Sequence, residues 1–187
     1  GSFQITTSGI MKTVVLLLFA AIGSAQELCP PTWDQWNDSC YYYSIDEVQW
    51  INALVGCGNM GGKGGASLVT IFNDDKHDQI QSDLRGAGDN GVWLALYRDP
   101  DVGKWNWLQA GKPQVPLDSS LEKYIAPGQD MNDMTKKNMY MKADGLWYLD
   151  DWEGKHWTLC QYDLVATVSR ANRKSSMAQL HRSLRAD

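Results

Sequence analysis

Between residues 92 and 97 apolar side chains fill both phases of a two-residue alternation, with Val92, Leu94 and Leu96 in one phase and Trp93, Ala95 and Tyr97 in the other. A strand that is apolar on both faces has no side to give to water and belongs at the centre of a core. Residues 99–103, Asp-Pro-Asp-Val-Gly, are turn formers, and Trp105 and Trp107 fall on one side of a second short strand, which predicts two indoles stacked on one core face. The remaining pattern covers this hairpin. Ser44 and Glu47 have capping-box spacing, and Val48, Ile51, Leu54 and Val55 recur with helical period, predicting a helix over about 45–55 with that stripe inward. Residues 56–67 contain six glycines and read as a surface loop. A short strand at 67–71 precedes a second helix capped by Asn73, with Asp74 and Asp75 in its first turn, His77, Ile80 and Leu84 along one side, and Gly86 ending it. His77 reads as a half-buried helix position. Residues 111–140 carry three prolines and no sustained period, the kind of long irregular segment that serves as a binding surface. Strands are predicted at 140–142 and 145–149 around a turn at 143–145, and a closing strand at 156–162.

The N-terminal pattern differs. Residues 11–25, MKTVVLLLFAAIGSA, combine a lysine, an apolar run too short to span a bilayer and small residues at the end, as a secretory signal peptide does. Residues 1–10 then read as leader sequence ahead of the initiator Met11, and the mature chain as starting at Gln26. It holds four cysteines, Cys29, Cys40, Cys57 and Cys160, which in an oxidising compartment predicts two disulfides with three pairings open. Asn37-Asp38-Ser39 is an N-glycosylation acceptor, making Asn37 a surface position.

Charge narrows the partners. Residues 26–164 hold 21 acidic against 11 basic side chains, whereas residues 165–187 hold five basic against one acidic. The acidic body argues against nucleic acid. The basic end, with Met177, Leu180 and Leu184 as a narrow apolar stripe, reads as a flexible tail. Three histidines, and neither a G-x-S-x-G nor an H-E-x-x-H arrangement, give no basis for an enzyme.

In order along the chain, CPPTWDQWNDSCYY at 29–42, the helix ending near Cys57, GASLVTI at 65–71, VWLAL at 92–96, WNW at 105–107, ADGLWYLD at 143–150 and WTLCQ at 157–161 resemble the C-type lectin-like domain family in its long form. The resemblance runs from about Cys29 to Tyr162, within a domain taken as 26–164. It implies an α+β fold with two helices flanking small antiparallel sheets and a long irregular loop region, and disulfides Cys29–Cys40 and Cys57–Cys160. It also locates two departures. Asn138 and Trp152 stand where members usually have a further disulfide tying down the long loop. Where sugar-binding members have a loop triplet and a later Trp-Asn-Asp triplet that hold calcium, the stretch after Pro127 reads Gly128-Gln129-Asp130-Met131-Asn132 and the later triplet reads Trp147-Tyr148-Leu149. Calcium takes six to eight oxygen ligands, which Tyr148 and Leu149 do not supply.

No cofactor is therefore expected, and calcium at the family's usual position is not; Asp130, Asp133, Asp150 and Asp151 are the residues left for a displaced calcium site. Asp130, Asn132, Trp147, Tyr148 and Trp152 are the candidate ligand-binding residues. The expected function is a secreted, extracellular recognition module, with no transmembrane anchor, that binds a protein or other extracellular ligand without calcium-bridged sugar contact, its expected partner being an extracellular protein or glycan. A structural component of an extracellular matrix, mineral-associated layer or self-associating assembly, and an atypical carbohydrate-binding lectin, are the alternatives.

Overall fold

The computed structural model describes residues 29–60, 65–85 and 90–164; the leader, the signal peptide and the basic tail expected from the sequence lie outside them. Strands β1 (Asp34–Trp36) and β2 (Ser39–Val48) form an opening hairpin, with Trp36 opposite Ser39. Asn37 makes the turn at φ 49°, in the left-handed region that asparagine tolerates better than most residues. A Cys29–Cys40 disulfide staples this hairpin.

β2 then runs antiparallel along β9 (His156–Asp163), from Ser39 opposite Asp163 to Val48 opposite His156, with an irregularity after Ser44. That ladder corrects the first predicted helix. Ser44 and Glu47 lie in β2 and form no capping box, because β9 supplies backbone partners to this strand. Helix α1 (Trp50–Met60) begins only after Gln49, whose carbonyl accepts from the amides of Asn52 and Ala53 at 3.0 Å. Its inward stripe is Trp50, Ala53 and Cys57, while Ile51 and Val55 are exposed. Trp50 sets this rotation: its buried indole donates to the Leu94 carbonyl at 2.8 Å. The helix also runs through Gly56 and Gly58, which had read as loop.

After β3 (Ser67–Leu68), which pairs with β9, comes helix α2 (Asp74–Arg85). Asn73 caps it, its Oδ1 accepting from the Lys76 amide at 2.9 Å. Ile80 and Leu84 are buried as the pattern predicts. His77 is buried too, more deeply than a half-buried position: its ring stacks on Tyr124 with centroids 3.5 Å apart, and its Nε2 donates to the Gly145 carbonyl at 2.7 Å.

Strand β4 (Val92–Arg98) is the centre, buried along its length except at half-buried Tyr97. It pairs in parallel with β9 and antiparallel with β5 (Trp105–Trp107) and β7 (Asn138–Met141); β5 pairs onward with β6 (Val115–Pro116), and β7 with β8 (Trp147–Asp150). The parallel β4–β9 pair joins what had read as separate antiparallel sheets into one open, mixed sheet, and the helices pack against it in an α+β fold. Trp105 and Trp107 are both buried but take different partners. Trp107 meets Phe72 and Trp147 edge-on, each at 5.7 Å, and the Trp105 indole donates to the Met131 carbonyl at 3.2 Å. The segment after β5 is less irregular than its composition implies. It contains β6 and a six-residue 3-10 helix, Ser119–Tyr124, capped by Asp118, whose side chain accepts from the Ser120 amide at 2.8 Å.

A second disulfide, Cys57–Cys160, closes 103 residues and fixes α1 to β9. Replacing both cysteines by alanine is expected to lower the unfolding free energy by about 4–5 kcal/mol, read by urea titration.

Beside this tie lies a buried polar group. Lys76 Nζ donates to Gln161 Oε1 at 2.5 Å, and that oxygen also accepts from the amide and hydroxyl of Thr70. Burial pushes the Lys76 amine down from 10.5 to about 8. Above that value the folded chain gives up its proton before the unfolded chain does, so stability rises with pH until the unfolded lysine also titrates. Tyr41 works in the opposite sense. Burial raises its phenol from 10.0 to about 12, so stability falls again above roughly pH 10 as the unfolded tyrosine ionises first. Urea midpoints from pH 7 to 11 should therefore rise above 8 and turn over near 10. Lys76→Met should remove the rise and be the more stable protein at pH 7 by roughly 1–3 kcal/mol.

Candidate recognition surface

Each of the residues considered as a calcium ligand has an oxygen already bonded within the protein. Gln129 Oε1 accepts from the Leu149 amide at 3.0 Å, so the long loop meets β8 through a direct protein hydrogen bond. Asp130 Oδ1 accepts from the Asn132 amide at 2.9 Å, and Asp133 Oδ1 from the amide and hydroxyl of Thr135 at 2.9 and 2.7 Å. Asp150 accepts from the Asp151 amide and pairs with His156, while Asp151 Oδ1 accepts from the amides of Glu153 and Gly154. Each carboxylate thus serves its own turn, the short-range bonding that aspartate favours in loops. Among the described residues no group of three or more His, Cys, Asp or Glu side chains is placed to hold a metal ion. The residues present do not fit the family's calcium.

Of the candidate ligand contacts, Asp130 and Asn132 are exposed on the loop. Trp152 projects from the turn after β8 and is 64% exposed, so it does not plug the place of the missing disulfide. Tyr148 is half-buried. Trp147 needs correction: it is wholly buried, packed against Trp107, Tyr124 and His77, and takes no part in any surface. Alternation along β8 explains the split, because Trp147 and Leu149 face the core and Tyr148 faces away. Asn37 is exposed at its turn.

Tyr148 belongs to a ladder of side chains on the outer face of the β7–β8 hairpin. Tyr140 lies directly opposite it in register, with ring centroids 5.6 Å apart. His156 stacks on the other side of Tyr140 at 3.6 Å and meets Trp93 edge-on at 4.5 Å. Lys142 Nζ sits 4.5 Å from the Tyr148 ring centroid and 5.8 Å from that of Tyr140, a cation over two π faces. Carboxylates close both ends: Tyr148 donates its hydroxyl to Asp144 Oδ2 at 2.7 Å, and His156 Nε2 pairs with Asp150 Oδ2 at 2.8 Å. The sequence reading missed Tyr140, Lys142 and His156. The usable signal was Tyr140 in β7 with Lys142 just past its end, set against Tyr148 across a tight turn, which puts outward side chains in register only once the pairing is known.

No family model matches the chain. It is similar to CD209 antigen-like protein A of Mus musculus, 28% identical over 104 residues, covering 56% of this chain and 40% of that protein; it thus spans less than half of that relative. The fold matches the C-type lectin CEL-I from Cucumaria echinata with TM-score 0.60 at 18% identity, covering 71% of this chain and 96% of that one. It also matches a calcium-independent type II antifreeze protein with TM-score 0.55 at 22% identity, covering 72% and 94%. The chain thus has the C-type lectin-like fold and is similar in sequence to proteins with C-type lectin domains.

The ladder has a measurable pH signature. Burial, outweighing the pull of Asp150, holds the His156 imidazole below its usual 6.5. The unfolded chain therefore takes up this proton first as pH falls through about 6.5, and stability declines below that pH. The thermal midpoint should drop between pH 7.5 and 5, and His156→Gln should reduce the drop.

Proposed function

We propose that this protein is a secreted recognition module that binds a protein or other extracellular ligand by direct contact, with no calcium ion bridging a sugar. The supporting observation is the Gln129 to Leu149 hydrogen bond, which joins the two segments that share a metal in the family's sugar-binding members. The likeness in fold to a protein whose name states calcium independence is consistent with this reading. So are the two disulfides and the exposed Asn37 of the glycosylation acceptor, which suit an oxidising, extracellular setting.

The contact surface under this reading comprises Trp152, whose exposed indole offers large area at small entropic cost, and the Tyr140–Tyr148 ladder. Calorimetric titration with CaCl2 to millimolar concentration should give no stoichiometric uptake, and arrays of glycans and extracellular proteins should return ligands retained in EDTA. Trp152→Ala should weaken their capture about tenfold or more. Tight calcium uptake abolished by Asp130→Ala, or capture lost in EDTA, overturns the reading.

A further inference from the structure

Arg98 ends the central strand in an unusual state. The residue is 7% exposed, its Nε is buried with no hydrogen-bond partner, and its Nη1 donates only to the thioether of Met134. No ion pair reaches it among the described residues. A thioether is a weak acceptor, and although Asp133 is close enough to feel the guanidinium charge, no carboxylate among the described residues is in direct contact to compensate the buried group.

The neighbouring acids are otherwise engaged. Asp99 Oδ1 accepts from the amides of Asp101 and Val102 at 2.9 and 3.3 Å, and Asp133 Oδ1 is held by the amide and hydroxyl of Thr135. The turn leaves space for the guanidinium as well. At Gly103, with φ +67°, an added Cβ would lie 3.2 Å from Arg98 Nη2. Only Met134 covers the group by a contact of this kind, and Met134 is itself 53% exposed on an unbranched, readily rotated side chain.

Arg98 also stands at the end of the sheet that carries the proposed contact surface. Its amide donates to the Lys137 carbonyl at 2.8 Å, and the Lys137 amide donates to the Asp150 carbonyl at 3.1 Å. Three chain segments therefore set Arg98 two positions across from Asp150, from which the Trp152 turn departs. We propose that Arg98 anchors a ligand subsite for an oxyanion, a carboxylate or sulfate group, and that Met134 is the cover this group displaces. With Met134 moved off Nη1, the end-on pair Nη1 and Nη2 offers the N–H fork that suits two oxygens of such a group. This assignment rests on the extracellular-recognition reading and names the chemistry of one point on its surface.

The test follows the Arg98 Nε–H and Met134 methyl resonances of the intact protein by NMR while sodium sulfate, or separately sodium acetate, is titrated at ionic strength fixed with NaCl. A saturable movement of both resonances is expected. The Met134 movement should be lost in Arg98→Gln and need at least tenfold more anion in Arg98→Lys, and the Arg98 movement should occur at several-fold lower anion concentration in Met134→Ala. Saturation by sulfate alone or by acetate alone identifies which group is taken. Met134→Ala changes an exposed side chain and decides the matter even where Arg98→Gln does not fold: no gain in anion affinity on removing the cover overturns the proposal. So does a linear, unsaturated response, or one unchanged in Arg98→Gln. Ligand capture in EDTA that depends on Trp152 but persists at full strength in Arg98→Gln refutes the oxyanion subsite alone and leaves the broader reading standing.

Discussion

One strand holds this domain together. β9 pairs with β2 along nearly its whole length, with β3 at Gln161 and Cys160, and with β4 in parallel at Trp157 and Thr158, so three separate stretches of chain depend on it for their backbone partners. Cys160 adds a covalent bond to α1 from the same strand. Strand pairing between distant segments is entropically costly to assemble, and a bond closing 103 residues removes much of that cost from the unfolded side. The ends of the domain are thereby drawn together, and the region between β5 and β8 can be irregular without loosening the core.

The central strand was legible because its signal is local. Six consecutive apolar residues between turn formers leave few alternatives, and the Asn73 cap with Ile80 and Leu84 behind it is similarly self-contained. The first helix was misplaced for a non-local reason. Ser44, Glu47, Val48 and Ile51 carry a good helical pattern, but β9, more than 100 residues further on, competes for the same backbone, and Trp50 finds its acceptor on β4. Nothing near residues 44–51 announces either partner. The long segment hid its 3-10 helix because six residues make too few turns to show an apolar stripe. The disulfide pairing came from the family resemblance, since spacing alone left three arrangements open.

The recognition surface was legible only in part, for the same reason. Broken calcium triplets can be read from identity, but where their oxygens go instead depends on the folded turns, in which each aspartate bonds to an amide one to three positions ahead. Trp147 and Trp152 look alike in sequence. Strand alternation puts the first inside and the turn after Asp150 puts the second outside. Arg98 gave no sequence signal at all, because an arginine closing a strand is ordinarily solvated; its isolation comes from Met134 folding over it from another segment.

The contact from the Gln129 carboxamide to the Leu149 amide has a bearing on where such a domain can operate. Neutral amide groups keep the same charge across the range of acidity met outside and inside cells, and they are indifferent to chelators and to the ionic make-up of the surrounding fluid. This one fastening therefore neither titrates nor needs an ion.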